Sequence, residues 1–175
     1  MTDTAADLIG RLTRSIPDFP QAGIMFRDLT PVFADGPALH AVTQALVEPF
    51  RGRVDAIAGV EARGFLLSAT AAYELGVGTL LIRKPGKLPG EVLSRSYDLE
   101  YGSNTLEVQP ADLPKASRVL LVDDVLATGG TLSAAVELIE AAGWELAGIS
   151  VVLELEALAG RDRLPGREVH TLVQV

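Results

Sequence analysis

The stretch Val119–Thr131, which reads V-L-L-V-D-D-V-L-A-T-G-G-T, is the feature that most constrains what this chain can fold into. Its branched apolar run, Val119–Val122, is typical of a buried strand and ends in two acids, Asp123 and Asp124. An alanine-rich helical pattern then covers Leu132–Ala142. We therefore expect a strand, a tight loop at its carboxyl end, and a helix that begins at this loop.

The loop between this strand and helix, Ala127–Thr131, has the composition of an anion-binding turn. Gly129 and Gly130 can adopt positive φ angles and carry no Cβ, so a ligand can approach the backbone closely. Successive amide N–H groups in such a turn attract an anion, and a helix N-terminus adds to the attraction. Thr128 and Thr131 supply hydroxyl donors. The sequence therefore predicts a phosphate-binding loop beside two carboxylates.

Strands and helices are predicted to alternate along most of the chain. A short apolar strand at Val54–Gly59 precedes a helix of small residues at Leu66–Leu75 and a second strand at Thr79–Arg83. The same order recurs in Val119–Gly143 and Leu146–Leu153. This alternation predicts the α/β class, with a mostly parallel central sheet flanked by helices.

Two of the predicted turns directly follow strands of this sheet, namely Val60–Gly64 and Asp123–Thr131. Ligands of open α/β sheets bind outside the carboxyl ends of the strands, near a switch in strand order. We therefore expect these two turns to face a single site.

The segment Glu91–Gln109 differs from the α/β pattern around it. Its residues alternate loosely on both sides of a turn predicted at Gly102–Asn104, which indicates an inserted β-hairpin. The hairpin is mostly polar on one face and is not expected to complete the core. We interpret residues 90–110 as a candidate active-site lid.

The N-terminal region combines a helix with irregular backbone. Helical spacing covers Ala5–Ser15, whereas Ile16–Gly23 is rich in Pro and Gly and predicts an irregular loop. Asp35-Gly36-Pro37 has the pattern of a helix start. With 175 residues and neither repeats nor low-complexity segments, the chain is predicted to form a single domain, 1–175.

The composition excludes several classes of function. A net charge of −8 argues against broad contacts with nucleic acid or an anionic membrane. Without cysteine there can be no disulfide, thiolate metal site or cysteine nucleophile. No apolar run is long enough for a membrane span, and the N-terminus does not resemble a signal peptide. We expect a cytoplasmic enzyme or binding protein.

Six segments of the chain match the motifs of one known family: Asp123–Thr131, Asp18–Asp28, Glu61–Phe65, Arg83–Pro89, Tyr97–Gly102 and Val152–Arg161. Through them the chain resembles the type I phosphoribosyltransferases, and among them most closely the branch that acts on adenine. The similarity covers nearly the full length. One departure is Ala22, where the family often has proline, and this change slightly loosens the loop that leads to Phe26.

This resemblance implies a reaction of purine salvage, in which adenine and phosphoribosyl pyrophosphate give AMP and pyrophosphate. It also implies a small N-terminal hood (1–35) that recognises the base, a homodimer, and Mg²⁺ held mainly by substrate oxygens and water. No metal site built from protein ligands is expected. In the family, the peptide bond before the arginine at position 63 is often cis.

The resemblance also implies roles for individual residues. Phe26 stacks on the adenine with Leu155 on its other face, and Glu100 serves as the acid-base residue at adenine N7. One of the two lysines near the pyrophosphate comes from a partner subunit. The assignments are Asp123, Asp124, Ala127, Thr128, Gly129, Gly130 and Thr131 for the 5′-phosphate and ribose; Glu61, Ala62, Arg63, Lys84 and Lys87 for the pyrophosphate; Met25, Phe26, Arg27 and Leu155 for adenine; and Glu100, Tyr101 and Arg63 for catalysis.

Two alternatives stay open at this point. The first is a phosphoribosyltransferase for another purine, xanthine or guanine, which the Phe26 segment and the Glu100 hairpin disfavour. The second is a regulator that senses phosphoribosyl pyrophosphate without turnover, which the intact hairpin and the lack of a DNA-binding extension disfavour.

Overall fold

Residues 3–98 and 103–175, the part of the chain that this computed structural model describes, contain nine strands, five α-helices and three short 3₁₀ helices. The helices are α1 (Ala5–Leu12), α2 (Thr30–Ala34), α3 (Gly36–Val47), α4 (Arg63–Leu75) and α5 (Gly130–Ala141). The strands are β1 (Arg14–Pro17), β2 (Met25–Asp28), β3 (Ala56–Val60), β4 (Gly78–Ile82), β5 (Leu93–Asp98), β6 (Ser103–Val108), β7 (Arg118–Leu126), β8 (Glu145–Glu154) and β9 (Val169–Gln174).

The centre of the fold is a five-stranded sheet in the order β4-β3-β7-β8-β9, in which every neighbouring pair is parallel. Successive residues of a strand point to opposite faces, and both faces are covered by apolar layers. Ile57 and Leu120 pack in the layer that includes α1, α3 and α4, whereas Ala58 and Leu121 pack in the layer that includes α5. The predicted α/β class, with a parallel central sheet flanked by helices, is confirmed.

Strand β7 is longer than the sequence predicts. It does not end at Val122 but continues through both acids to Leu126, and its pairing with β8 extends over the same residues. The predicted end rested on the break in the apolar run at Asp123 and Asp124. These acids interrupt the pattern because they border a cleft, while their backbone stays in the sheet.

The N-terminal region contains a hairpin that the sequence does not reveal. Helix α1 ends at Leu12 rather than at Ser15, and β1 then pairs antiparallel with β2. Two residues of the predicted irregular loop, Ile16 and Pro17, therefore lie in a strand. The side chain of Arg14 donates two hydrogen bonds to Asp28 across the pair, of 2.6 and 3.1 Å.

The inserted hairpin forms as predicted, but two of its details were wrong. Strands β5 and β6 pair antiparallel with Ser103 opposite Asp98, so Ser103 and Asn104 of the predicted turn belong to β6. Leu106 and Val108 are buried in the layer that contains α5. The hairpin therefore contributes to the core, because its inward apolar residues alternate with outward polar ones.

None of the helices in residues 3–98 and 103–175 combines the length and the apolar character that a bilayer span requires.

Candidate functional site

A cleft of about 400 Å³ lies at the carboxyl ends of β3, β7 and β8. The cleft lies between the two turns that were predicted to face a single site and the N-terminal segment that was predicted to recognise a base. Its lining residues are Ile24, Met25, Phe26, Arg27, Glu61, Ala62, Arg63, Asp123, Asp124, Val125, Ala127, Thr131 and Leu155. Eleven of these thirteen are residues that the sequence predicts for the site, and only Ile24 and Val125 are additions.

The predicted phosphate loop, Ala127–Thr131, surrounds a smaller cavity of about 60 Å³ beside the cleft. Gly129 has a φ of +81°, which glycine adopts without strain, and it precedes the first residue of α5. Gly130 does not use this freedom, because it is already the first residue of the helix. A small cavity bordered by backbone at a helix N-terminus suits a tetrahedral anion.

The two acids of β7 lie at the boundary between this loop and the cleft. Asp124 is only 5 % exposed, and its backbone N–H donates to Oδ1 of Asp123 at 2.9 Å. Burial raises the pKa of both carboxyl groups, and the neighbouring charge of Asp124 raises the pKa of Asp123 further. The guanidinium of Arg63 opposes this shift, since its Nε lies 2.8 Å from Oδ2 of Asp124.

Oδ2 of Asp124 is buried and accepts no hydrogen bond from any described residue, although Arg63 pairs with it ionically. Such an oxygen has acceptor capacity left for a hydroxyl or for the water of a hydrated cation. The described residues contain no group of three or more His, Cys, Asp or Glu that could enclose a metal ion. The acids therefore fit the Mg²⁺ that the family implies only if other oxygens complete its coordination.

The second turn begins with Glu61 at the end of β3. The Glu61–Ala62 peptide bond is cis, one bond earlier than the position expected from the family pattern. The Glu61 carboxylate accepts hydrogen bonds from the backbone N–H of Lys84 at 3.1 Å and from Nε of Arg83 at 3.3 Å. The Lys84 N–H is the main reason that the pKa of Glu61 is lowered. Glu61 thus connects this turn to the basic loop after β4.

Phe26 of β2 lines the cleft and is partly buried. The ring of Phe19 contacts it edge-on at 5.1 Å between centroids, and the guanidinium of Arg63 lies 5.8 Å from its centre. Leu155 lines the same cleft after β8. An aromatic face and a leucine in one cleft provide apolar surfaces of the kind that a planar base requires.

Some predicted residues are not among those that line the cleft. Lys84 and Lys87 are absent from it, and their recorded contacts are made by backbone: Lys84 donates to Glu61, and the Lys87 carbonyl accepts from Arg83. Glu100 and Tyr101 lie outside the described residues. Thr128, Gly129 and Gly130 border the smaller cavity instead.

Two residues that line the cleft, Ile24 and Val125, were not predicted from the sequence, although each adjoins a predicted motif. Ile24 directly precedes the predicted base segment, and Val125 directly follows the acid pair. One contact of the phosphate loop could not be predicted from the sequence, because it joins distant segments. Oγ1 of Thr131 donates to the Tyr97 hydroxyl of the hairpin at 3.1 Å.

A parallel α/β sheet with an acidic strand end, an anion loop and a second turn on the neighbouring strand defines the phosphoribosyltransferase class. The model of the family described as phosphoribosyl transferase domain matches residues 37–172, so the chain belongs to this family, and the family prediction is confirmed. The chain is 63 % identical to an adenine phosphoribosyltransferase from Clavibacter michiganensis, over 97 % of this chain and 96 % of that protein.

Solved structures of adenine phosphoribosyltransferases are also similar to this chain. The crystal structure of adenine phosphoribosyltransferase from Thermoanaerobacter pseudethanolicus has a TM-score of 0.93 and 44 % identity, covering 97 % of this chain and 99 % of that one. The APRTase from Giardia lamblia, complexed with 9-deazaadenine, has a TM-score of 0.92 and 40 % identity, covering 99 % of both chains.

Proposed function

We propose that this protein transfers the 5-phosphoribosyl group of phosphoribosyl pyrophosphate to N9 of adenine, giving AMP and pyrophosphate in purine salvage. The observation that carries this proposal is the continuity of one cleft, which places Phe26, Arg63 and Asp124 around the same space beside the anion loop. In the reaction the bond from N9 to the anomeric carbon forms while the bond to pyrophosphate breaks. The 63 % identity to an adenine phosphoribosyltransferase supports the choice of base.

The residues of the cleft suit a transition state with positive charge on the ribose. The loop Ala127–Thr131 holds the 5′-phosphate through amide and hydroxyl donors, and Asp123 and Asp124 accept from the ribose hydroxyls. Arg63 at the start of α4 stabilises the pyrophosphate as negative charge develops on it. This chemistry depends on positioning and electrostatics, so none of the residues assigned to the site needs to act as a nucleophile.

Base recognition is assigned to the N-terminal segment. Phe26 stacks on one face of adenine and Leu155 contacts the other, while backbone groups of Met25 and Arg27 read the edge of the ring. Lys84 and Lys87 contribute positive charge near the pyrophosphate, one of them in the site of a partner subunit. We retain Glu100 as the acid-base residue at N7 and Tyr101 as a lid residue on the strength of the sequence resemblance.

Mg²⁺ would lie beside Asp123 and Asp124, held mainly by substrate oxygens and water. When bound, it supplies charge neutralisation for the pyrophosphate leaving group. Oδ2 of Asp124 supports this location, since it accepts no hydrogen bond from the described residues and can accept one from the water of a hydrated ion. Isothermal titration of phosphoribosyl pyrophosphate with and without Mg²⁺ tests whether the ion takes part in binding, and equal affinity in the two titrations would contradict its participation.

A panel of purine bases tests the function as a whole. Purified protein with phosphoribosyl pyrophosphate and Mg²⁺ is expected to convert adenine to AMP, with guanine, xanthine and hypoxanthine giving much slower turnover. A preference for guanine or xanthine would favour the other-purine alternative. Binding of phosphoribosyl pyrophosphate without turnover of any base would favour the regulator.

We also propose that the protein is a homodimer and that it is cytoplasmic, as expected from its sequence. Leu66 and Tyr73, seven residues apart on α4, are 54 % and 91 % exposed, so this helix offers apolar surface that a second copy of the chain can cover. Light scattering after size exclusion tests the dimer, and a monomer at micromolar concentration would contradict it. Cell fractionation tests the location.

A further inference from the structure

The tail loop, defined as residues 155–163, connects β8 to the last part of the chain and touches both halves of the site. At its start, the N–H of Leu155 donates to the carbonyl of Leu126 at 2.9 Å, directly before the phosphate loop. The side chain of Leu155 lines the cleft. The tail loop therefore provides one wall of the predicted base site and lies next to the predicted phosphate site.

The tail loop and the phosphate loop meet through their backbones at two glycines. A Cβ on Gly129 would collide with the carbonyl oxygen of Gly160, and a Cβ on Gly160 would collide with the carbonyl oxygen of Ala127. The same Cβ on Gly160 would lie 2.7 Å from Cδ1 of Leu126. Because each loop fills the space that a side chain of the other would need, the tail loop cannot move toward the phosphate loop without displacing it.

The residue after Gly160 fixes the tail loop to the sheet. Arg161 donates from Nε and Nη2 to the two carboxylate oxygens of Glu154, at 2.7 and 2.8 Å, and from Nη1 to the Val169 carbonyl at 3.1 Å. Glu154 is 5 % exposed at the end of β8. It also accepts from Thr171 at 3.0 Å and Gln174 at 3.1 Å of β9, and this set of donors lowers its pKa.

This bidentate pair is of the strong, geometrically specific kind, and it is anchored on a buried acid. Arg161 and Glu154 do not line the cleft or the phosphate cavity, so the pair can act on the site only through the residues beside it. We propose that Arg161 is a positioning residue which, through Gly160, holds the phosphate loop and the Leu155 wall in register for the two substrates. The inference rests on the proposed function for its adenine readout but not for its phosphate readout.

The test compares the same exchange at two bidentate arginine pairs. Arg161→Lys keeps the positive charge beside Glu154 but removes the two-pronged geometry. Arg53→Lys is the matched control, because Arg53 donates to both oxygens of Glu168 at 3.2 and 2.7 Å and neither residue borders the site. We measure Kd for ribose 5-phosphate by calorimetry, KM for adenine and for phosphoribosyl pyrophosphate, kcat, and the thermal midpoint of each variant.

Arg161→Lys is expected to raise the Kd for ribose 5-phosphate and the KM for adenine about five- to tenfold, with kcat changed less than about threefold. Arg53→Lys is expected to leave the Kd for ribose 5-phosphate, the KM for adenine and kcat within about twofold of the parent, because this exposed pair does not reach the site. Equal binding constants in the two variants would overturn the proposal, because a merely stabilising pair lowers the midpoint alone.

Gly160→Ala provides a second test that leaves the arginine pair in place. The added Cβ pushes the tail loop away from Ala127 and Leu126, so both binding constants are expected to rise together. Unchanged constants in this variant would overturn the coupling through Gly160. If the parent protein does not convert adenine, the proposed function fails, whereas the Kd for ribose 5-phosphate still decides the role of Arg161.

Discussion

Nε of Arg63 lies 2.8 Å from Oδ2 of Asp124, so the first residue of α4 is paired with a buried acid of the neighbouring strand. The same guanidinium lies 5.8 Å from the centre of the Phe26 ring. One cation therefore touches the segment assigned to the ribose and the segment assigned to the base. This position between two substrate regions agrees with a role at the bond that is made and broken.

Replacing Arg63 tests that role. Arg63→Ala is expected to lower kcat/KM for phosphoribosyl pyrophosphate about a hundredfold, since a cation that stabilises developing charge acts mainly in the transition state. Steady-state kinetics provide the measurement. Arg51→Ala is the control, because Arg51 makes exposed ion pairs with Glu48 and Glu74 and does not line the cleft. Equal activity in the two variants would exclude the assignment.

Asp124→Asn is expected to weaken binding of phosphoribosyl pyrophosphate about tenfold while the fold is kept. The change removes one charged acceptor for a ribose hydroxyl, and charged hydrogen bonds contribute about 1.5–3 kcal/mol each. Calorimetry measures the affinity, and circular dichroism checks the fold. Asp112→Asn, at an exposed position in the link before β7, is the control. An unchanged affinity in Asp124→Asn would contradict the ribose assignment.

Phe26→Ala is expected to raise the KM for adenine about tenfold and to leave the KM for phosphoribosyl pyrophosphate nearly unchanged. The expected size follows from stacking, which contributes about 1–3 kcal/mol per base. Phe26→Leu keeps apolar volume but lacks the flat face, so its KM for adenine should lie between those of the parent and of Phe26→Ala. If both Michaelis constants rise equally in Phe26→Ala, the side chain supports the cleft in general and does not stack on the base.

Glu100→Gln is expected to lower turnover far more than it lowers affinity for phosphoribosyl pyrophosphate. An acid-base group acts mainly in the transition state, so its loss appears in kcat. Rapid-quench measurement of a single turnover, together with calorimetry, separates the two effects. Comparable losses of rate and affinity would argue against this role, which rests on sequence resemblance because Glu100 lies outside the described residues.

Asp55 gives a prediction about pH and stability. Hydrogen bonds from Arg118 lower its pKa from 3.8 to about 2 in the folded protein. The folded state therefore favours the ionised form, and the contribution of this pair is full above about pH 3.8 and is lost as the pH falls through about 2. The difference in urea midpoint between the parent and Asp55→Asn should shrink across this window. A difference that stays constant with pH would contradict the shift.

The central sheet could be predicted because its signals are local. Strand β3 and the Val119–Val122 part of β7 are apolar runs, and Gly76, which follows α4, ends that helix with a φ of +67°. The β1–β2 hairpin could not be predicted in this way. Its first strand is exposed along its whole length and includes Pro17, so neither alternation nor an apolar run marks it.

The site shows the same division between local and distant signals. Most residues of the cleft belong to short contiguous motifs. Ile24 and Val125 also line the cleft because each is adjacent in sequence to one of these motifs. Glu154 is different, because in sequence it resembles a surface acid at a strand end. Its partners Thr171 and Gln174 come from β9, and no spacing rule connects them to β8. Such long-range polar networks become visible only when the strands are placed side by side.

The direct pairing of β3 with β7 affects which substrates the protein can bind, because it sets the distance between the two turns that follow these strands. Neighbouring strands are about 4.8 Å apart, and both of these strands are buried in the sheet, so the turns that follow them start from a nearly fixed separation. In the proposed reaction, one turn holds each charged end of phosphoribosyl pyrophosphate. The fixed separation then favours sugars whose 5′-phosphate and pyrophosphate reach both turns at once. A sugar with a single phosphate can contact only one of the two turns.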